Sequence, residues 1–78
     1  TPFSNILIFM GSDVSKVDMG ITLHHSFNKL DVFGSLLNND INESWPMHLI
    51  RVDENNVRVI LEKKPNINHQ FVLMLTKA

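Results

Sequence analysis

The chain has 78 residues and a formal net charge of −1, and at 44% hydrophobic and 19% charged residues it is too apolar and too weakly charged to be disordered. One domain of this size buries only about 60 to 65% of its unfolded surface, so its margin of stability is slim. The absence of cysteine removes disulfides, thiolate metal sites, iron–sulfur clusters and cysteine nucleophiles, while the scatter of Lys16, Lys29, Arg51, Arg58, Lys63, Lys64 and Lys77 among acids disfavours nucleic-acid binding.

Phe3 to Met10 comes first. Its unbroken apolar run, Ile6 to Met10, is far shorter than the roughly 20 residues that span a bilayer, and no charged n-region precedes a signal-peptide core. The chain opens on Thr1, not methionine, which suggests a processed or excised piece of something longer. With no polar face before Gly11-Ser12-Asp13, the run predicts a central strand covered on both sides. Gly11 to Lys16 is then a polar loop, read as a turn because the glycine spacing of a phosphate-binding loop is missing.

Val17 to Phe27 alternates most regularly. Val17, Met19, Ile21, Leu23, His25 and Phe27 fall on one face, with Asp18, Gly20, Thr22, His24 and Ser26 on the other. The pattern predicts a half-buried strand with His25 inside and His24 outside, so these neighbours cannot chelate one ion. His25 reads as a histidine bonded to backbone or water, with pH sensing or ligand contact as its functional alternative. Between Asn28 and Asn39, Leu30, Phe33, Leu36 and Leu37 suit a short helix, whereas Val32, Gly34 and Leu36 suit one face of a strand. Strand is the preferred reading.

Asn38 to Pro46 is the longest polar connection. Asp40, Asn42 and Glu43 supply oxygen atoms without the carboxylate number and glycine of a calcium loop. Asn42-Glu43-Ser44 matches the N-glycosylation acceptor pattern, which matters only in a glycosylating host. Trp45, the single tryptophan, reads as a cap on the core, or functionally as an anchor in a partner surface. Pro46 holds it extended.

Met47 to Lys63 predicts a hairpin around Asp53-Glu54-Asn55-Asn56, with Ile50 and Val52 on one core face and Val57, Val59 and Leu61 on the other strand's core face. A turn centred on Glu54-Asn55 sets Arg51 against Arg58, an unfavourable like-charge pair. A type I′ turn with Asn55 and Asn56 central sets Asp53 opposite Arg58 and is preferred, because asparagine tolerates positive φ. Lys63 and Lys64 then read as a solvated corner and not a phosphate grip. In the last strand Phe71, Leu73 and Leu75 face one way and Val72 and Met74 the other, so both faces need cover.

No catalytic set emerges. His24, His25, His48 and His69 lack metal-ligand spacing, Ser35 has no nucleophile-elbow context, and no motif implies a cofactor or a metal. The chain predicts a mainly β fold: a small antiparallel β-sandwich or partly open barrel of about six strands, with an α+β fold carrying one short helix near Leu30–Leu37 as the alternative. Residues 1–78 read as one compact domain. The functional expectation is a non-enzymatic protein-interaction or assembly module, acting through an exposed sheet edge and the Trp45 and Met47 region on a protein partner, a parent chain or a second copy. A small-ligand or metal-binding module using His24, His48 or His69 is the second expectation, and a non-catalytic piece of an enzyme the third.

Overall fold

Seven strands fold into two antiparallel sheets in a computed structural model that describes residues 4–78. They are β1 (Ser4–Met10), β2 (Gly20–His24), β3 (Val32–Asn38), β4 (Glu43–Ser44), β5 (Met47–Arg51), β6 (Asn56–Leu61) and β7 (Gln70–Lys77), with a single 3₁₀ turn over Gly11–Asp13. One sheet has the order β1-β7-β3-β4 and the other β2-β6-β5. The fold is thus a small β-sandwich, and no α-helix occurs among the described residues. Leu30–Leu37 carries most of β3 and not the alternative helix. The expectation for Phe3 lies outside the described residues.

The two sheets meet through the alternating residues that the sequence marks. Val57, Val59 and Leu61 of β6 are buried against Phe71, Leu73 and Leu75 of β7 and Val32 and Leu36 of β3 in one core cluster. Phe71 is its hub, stacked on Phe9 at 5.5 Å between ring centroids and met edge-on by Trp45 at 5.3 Å. Such offset and T-shaped pairs add about 0.5–1.5 kcal/mol each beyond the area they bury. Gly34 leaves room for the Leu75 side chain, since a Cβ there would come within 2.8 Å of the Leu75 Cδ2 atom. Arg51 closes the gap between the sheets, its Nε and Nη2 donating to the Val32 carbonyl at 3.1 and 3.0 Å while its guanidinium lies over the Phe33 ring.

Three expectations change. The first strand is paired with β7, but it forms an edge, and one of its faces is bare. An unbroken apolar run reads the same whether its second face is covered or not. The strand predicted over Val17–Phe27 shrinks to β2, and Val17 is 95% exposed. Local polar bonds win there: the Gly20 N–H donates to Asp18 Oδ1, the Val17 N–H to Ser15 Oγ and the Met19 N–H to the Ser15 carbonyl. From Met19 onward the predicted phase holds, with His25 and Phe27 buried and His24 outside.

The hairpin takes neither of the registers weighed from the sequence. Leu49 pairs with Val59 and Ile50 with Arg58, which puts Met47 and Leu49 against the core and leaves Ile50 and Val52 exposed. A shift by an odd number of residues turns every side chain of the strand over. The cause is the use made of Asp53 and Asn55. Asp53 Oδ1 accepts from the Asn55 N–H at 2.8 Å, an Asx turn. Asn55 in turn accepts from the His25 N–H with its carbonyl and from the Asn28 N–H with its side chain, both at 2.8 Å. Positive φ falls on Met19, Ser26, Asn28 and Asn42 among the described non-glycine residues, so no type I′ turn forms at Asn55-Asn56.

Candidate protein-binding surface

The alternation that fills the core also decides what the sheets show outward. On β1-β7-β3 the register brings Ile6, Met74 and Ser35 into one row, Ile8, Val72 and Leu37 into the next, and Ser4, Thr76 and Phe33 into a third. Met10 and Gln70 extend the face at one end. Ile6, Ile8, Phe33 and Met74 are 61, 58, 56 and 45% exposed. No side chain in these rows is charged. With strands about 4.8 Å apart and about 3.4 Å per residue, the face measures roughly 350 Å² in outline, a size at which exposed apolar patches often mark interaction sites.

The free edge beside this face is less available than the face itself. The Ile6 N–H is held by its neighbour's Asn5 Oδ1 at 2.9 Å and the Met10 N–H by Asp13 Oδ2 at 2.9 Å. Bonds of this kind remove donors that an added strand would need. The edge at β4 is only two residues long.

Trp45 is turned inward and only 7% exposed. Its Nε1–H donates to the Lys63 carbonyl at 3.1 Å, and Lys63 Nζ lies 4.4 Å from the ring centroid. It therefore sits as the cap on the core, with a lysine over its outer face. Met47 is half-buried and also packs against the core.

The histidines do not converge. His48 is exposed on the outer side of β5, across from Ile60. His24 is exposed with its Nδ1 at 3.1 Å from Asn56 Oδ1. His69 accepts at Nδ1 from Asn38 Nδ2 at 2.9 Å, a bond that completes the buried Asn38, whose Oδ1 takes the Asp40 N–H at 3.1 Å. His25 is 2% exposed and accepts the Phe27 N–H at Nδ1, 3.1 Å away, while its Nε2 has no partner among the described residues. Burial holds the His25 imidazole below its ordinary value of 6.5, and the charge of neighbouring His24 acts in the same direction. Among the described residues no group of three or more His, Asp or Glu side chains is placed to hold a metal ion. Asn42 of the sequon is exposed in the β3–β4 turn with φ of 52°.

The outer side of the other sheet is mixed, with Ile50 and Ile60 set among Thr22, His24, Asn56, Arg58 and His48. Arg58 Nη2 bonds Asp18 Oδ2 at 2.7 Å and Nη1 bonds Thr22 Oγ1 at 2.9 Å. The bond from Arg58, helped by the Gly20 N–H, holds the Asp18 carboxyl below its ordinary value.

No helix among the described residues is long and apolar enough to cross a membrane. Comparison with known protein families, with curated proteins and with solved structures finds no match for this chain.

Proposed function

We propose that this protein is a non-enzymatic assembly module whose contact surface is the outer face of β1-β7-β3, and that the occupant of that face is a second copy of the chain. The observation that carries the reading is an exposed apolar sheet face with no charged side chain in its rows. A twofold interface pairs residue i of one copy with residue j of the other and j with i, so rows without charge meet no like charge and bury no unpaired one. These rows bring no charge, and the Arg51 guanidinium that lies over the Phe33 ring is held by the Val32 carbonyl. Two such faces can pack at about 10 Å in the aligned manner of stacked sheets. Pairing edge to edge is disfavoured by the side-chain bonds to the Ile6 and Met10 amides.

The face is smaller than the roughly 800 Å² per partner of a standard stable interface, which supports association in the micromolar range or weaker and not a permanent dimer. Sedimentation equilibrium over a concentration series tests this. The mass should rise from the 8.9 kDa of the monomer toward twice that value as concentration reaches the high micromolar range. A strictly monomeric species throughout would remove self-association, and a complex formed only with an added partner protein would assign the face to that partner instead.

A further inference from the structure

A second surface lies at the end of the molecule where the loop after β1 meets the loop before β7. The Gly11 N–H donates to the His69 carbonyl and the Ser12 N–H to the Ile67 carbonyl, at 2.9 and 3.1 Å. A Cβ on Gly11 would lie 2.1 Å from the Asn66 carbonyl oxygen, so the two loops touch backbone to backbone at that point. Beside this contact a half-open cleft of about 690 Å³ remains, within the size range of small-molecule sites.

Its lining is divided chemically. Val14, Met19, Pro65 and Ile67 provide apolar surface, and Lys16 and Lys64 provide charge from opposite loops. Ser12 and Ser15 add hydroxyls. Two facts set the lysines apart from an ordinary solvated corner. They share one cleft, and neither is in an ion pair among the described residues, where Arg58 pairs with Asp18 and Lys63 with Glu43. Met19 reaches its place in the wall with φ of 57°, a left-handed conformation that costs a methionine roughly 1–2 kcal/mol and that Asp18, Ser15 and Leu61 hold by hydrogen bonds on either side. Strain kept at the wall of a cleft is a common mark of a binding site.

We propose that this cleft binds a small organic carboxylate with an apolar chain, its head between Lys16 and Lys64 and its chain along Met19, Val14 and Ile67. Complementary charge selects the head, because two lysines that are in no ion pair among the described residues line one half-open cleft and favour an anion there. The apolar wall selects the chain. This site contains none of the four histidines, so it is separate from any histidine-based binding. It shares no lining residue with the outer face of β1-β7-β3.

The test uses the full chain with ¹³C-methyl methionine and three probes: decanoate, decanol and acetate. Decanoate should bind saturably and move the Met19 methyl signal while leaving that of Met74 in place. Decanol lacks the charge and acetate the chain, and each should bind at least about tenfold more weakly, the worth of one charge-assisted hydrogen bond or of a few buried methylenes. Lys16→Glu with Lys64→Glu, both exposed and in no ion pair among the described residues, should weaken decanoate by at least the same factor. Equal binding of decanoate and decanol would overturn the proposal, as would undiminished binding to the double variant or a shift at Met74 in place of Met19.

Discussion

The outer faces of the two sheets are built on the same alternation and differ in chemistry, one without charged side chains in its rows and the other carrying a bonded set of polar and charged ones. On β2-β6-β5 the outward residues are Thr22, His24, Asn56, Arg58 and His48 together with Ile50 and Ile60, and four of the polar ones bond in pairs: Arg58 to Thr22, and His24 to Asn56. Ile50, exposed there, stands directly across from Arg58. That face has its polar groups partnered among themselves and in water. On β1-β7-β3 the outward residues are mostly Ile, Met, Val, Leu and Phe, with no charge among them. In a chain so small, apolar surface withheld from the core is a large fraction of what is available for stability. The contrast between the faces, more than the exposure of any single residue, is what singles one of them out for contact.

The sharpest form of the comparison lies within one strand. Leu73 is fully buried and its neighbour Met74 faces outward. Leu73→Ala should lower stability by about 2–5 kcal/mol, whereas Met74→Ala should change it by no more than about 0.5 kcal/mol, both read from urea unfolding midpoints. Similar losses at the two positions would mean that the outer face is already covered within the monomer.

A charge placed on either face compares them directly. Ile8→Lys should weaken self-association at least about tenfold, since the lysine would have to be desolvated against an apolar face that offers it no partner. Ile50→Lys, on the other sheet, should leave it unchanged. Sedimentation of the two variants at one concentration decides between them.

The smallest effect concerns His25, where β2 ends and the chain turns from the polar face into the core. Its folded-state value is lowered, so the unfolded chain binds the proton more tightly. Stability from the neutral, buried ring is therefore full above about pH 7.5, falls as pH drops below the unfolded value of about 6.5, and levels off below the folded value. His25→Asn, whose Oδ1 can replace Nδ1 as acceptor for the Phe27 N–H, should flatten that part of the profile. An unchanged slope in the variant would show that other groups supply it.

These contrasts were unevenly legible in the sequence. Alternation gave the phase of β2 from Met19 onward, the buried set Val57, Val59 and Leu61, and the double-sided apolar character of β7, because period two leaves no other reading of such runs. It also implied that β7 needs cover on both faces. It did not reveal that one of those faces is left bare, since Ile6 to Met10 has the same composition in a covered strand as at an open edge. The hairpin register escaped because it is fixed by tertiary bonds: Asn55 serves His25 and Asn28, not a turn of its own. Trp45 carried two readings, and its burial against Phe71, with its indole bonded to the Lys63 carbonyl, shows that it faces inward. The Lys16 and Lys64 cleft was hidden for another reason. Its two walls lie far apart in the chain, and each alone looks like a solvated loop.

The four methionines make the most direct test of the outer face. Met10 and Met74 lie in or at the end of its rows, Met47 packs against the core, and Met19 lines the cleft. In ¹³C-methyl spectra of the unliganded protein recorded from low to high micromolar concentration, the Met74 and Met10 signals should move together with concentration while Met47 and Met19 stay fixed. Movement of Met19 or Met47 with Met74 unchanged, or no movement at all where the mass has risen, would contradict the assignment of that face as the surface of assembly.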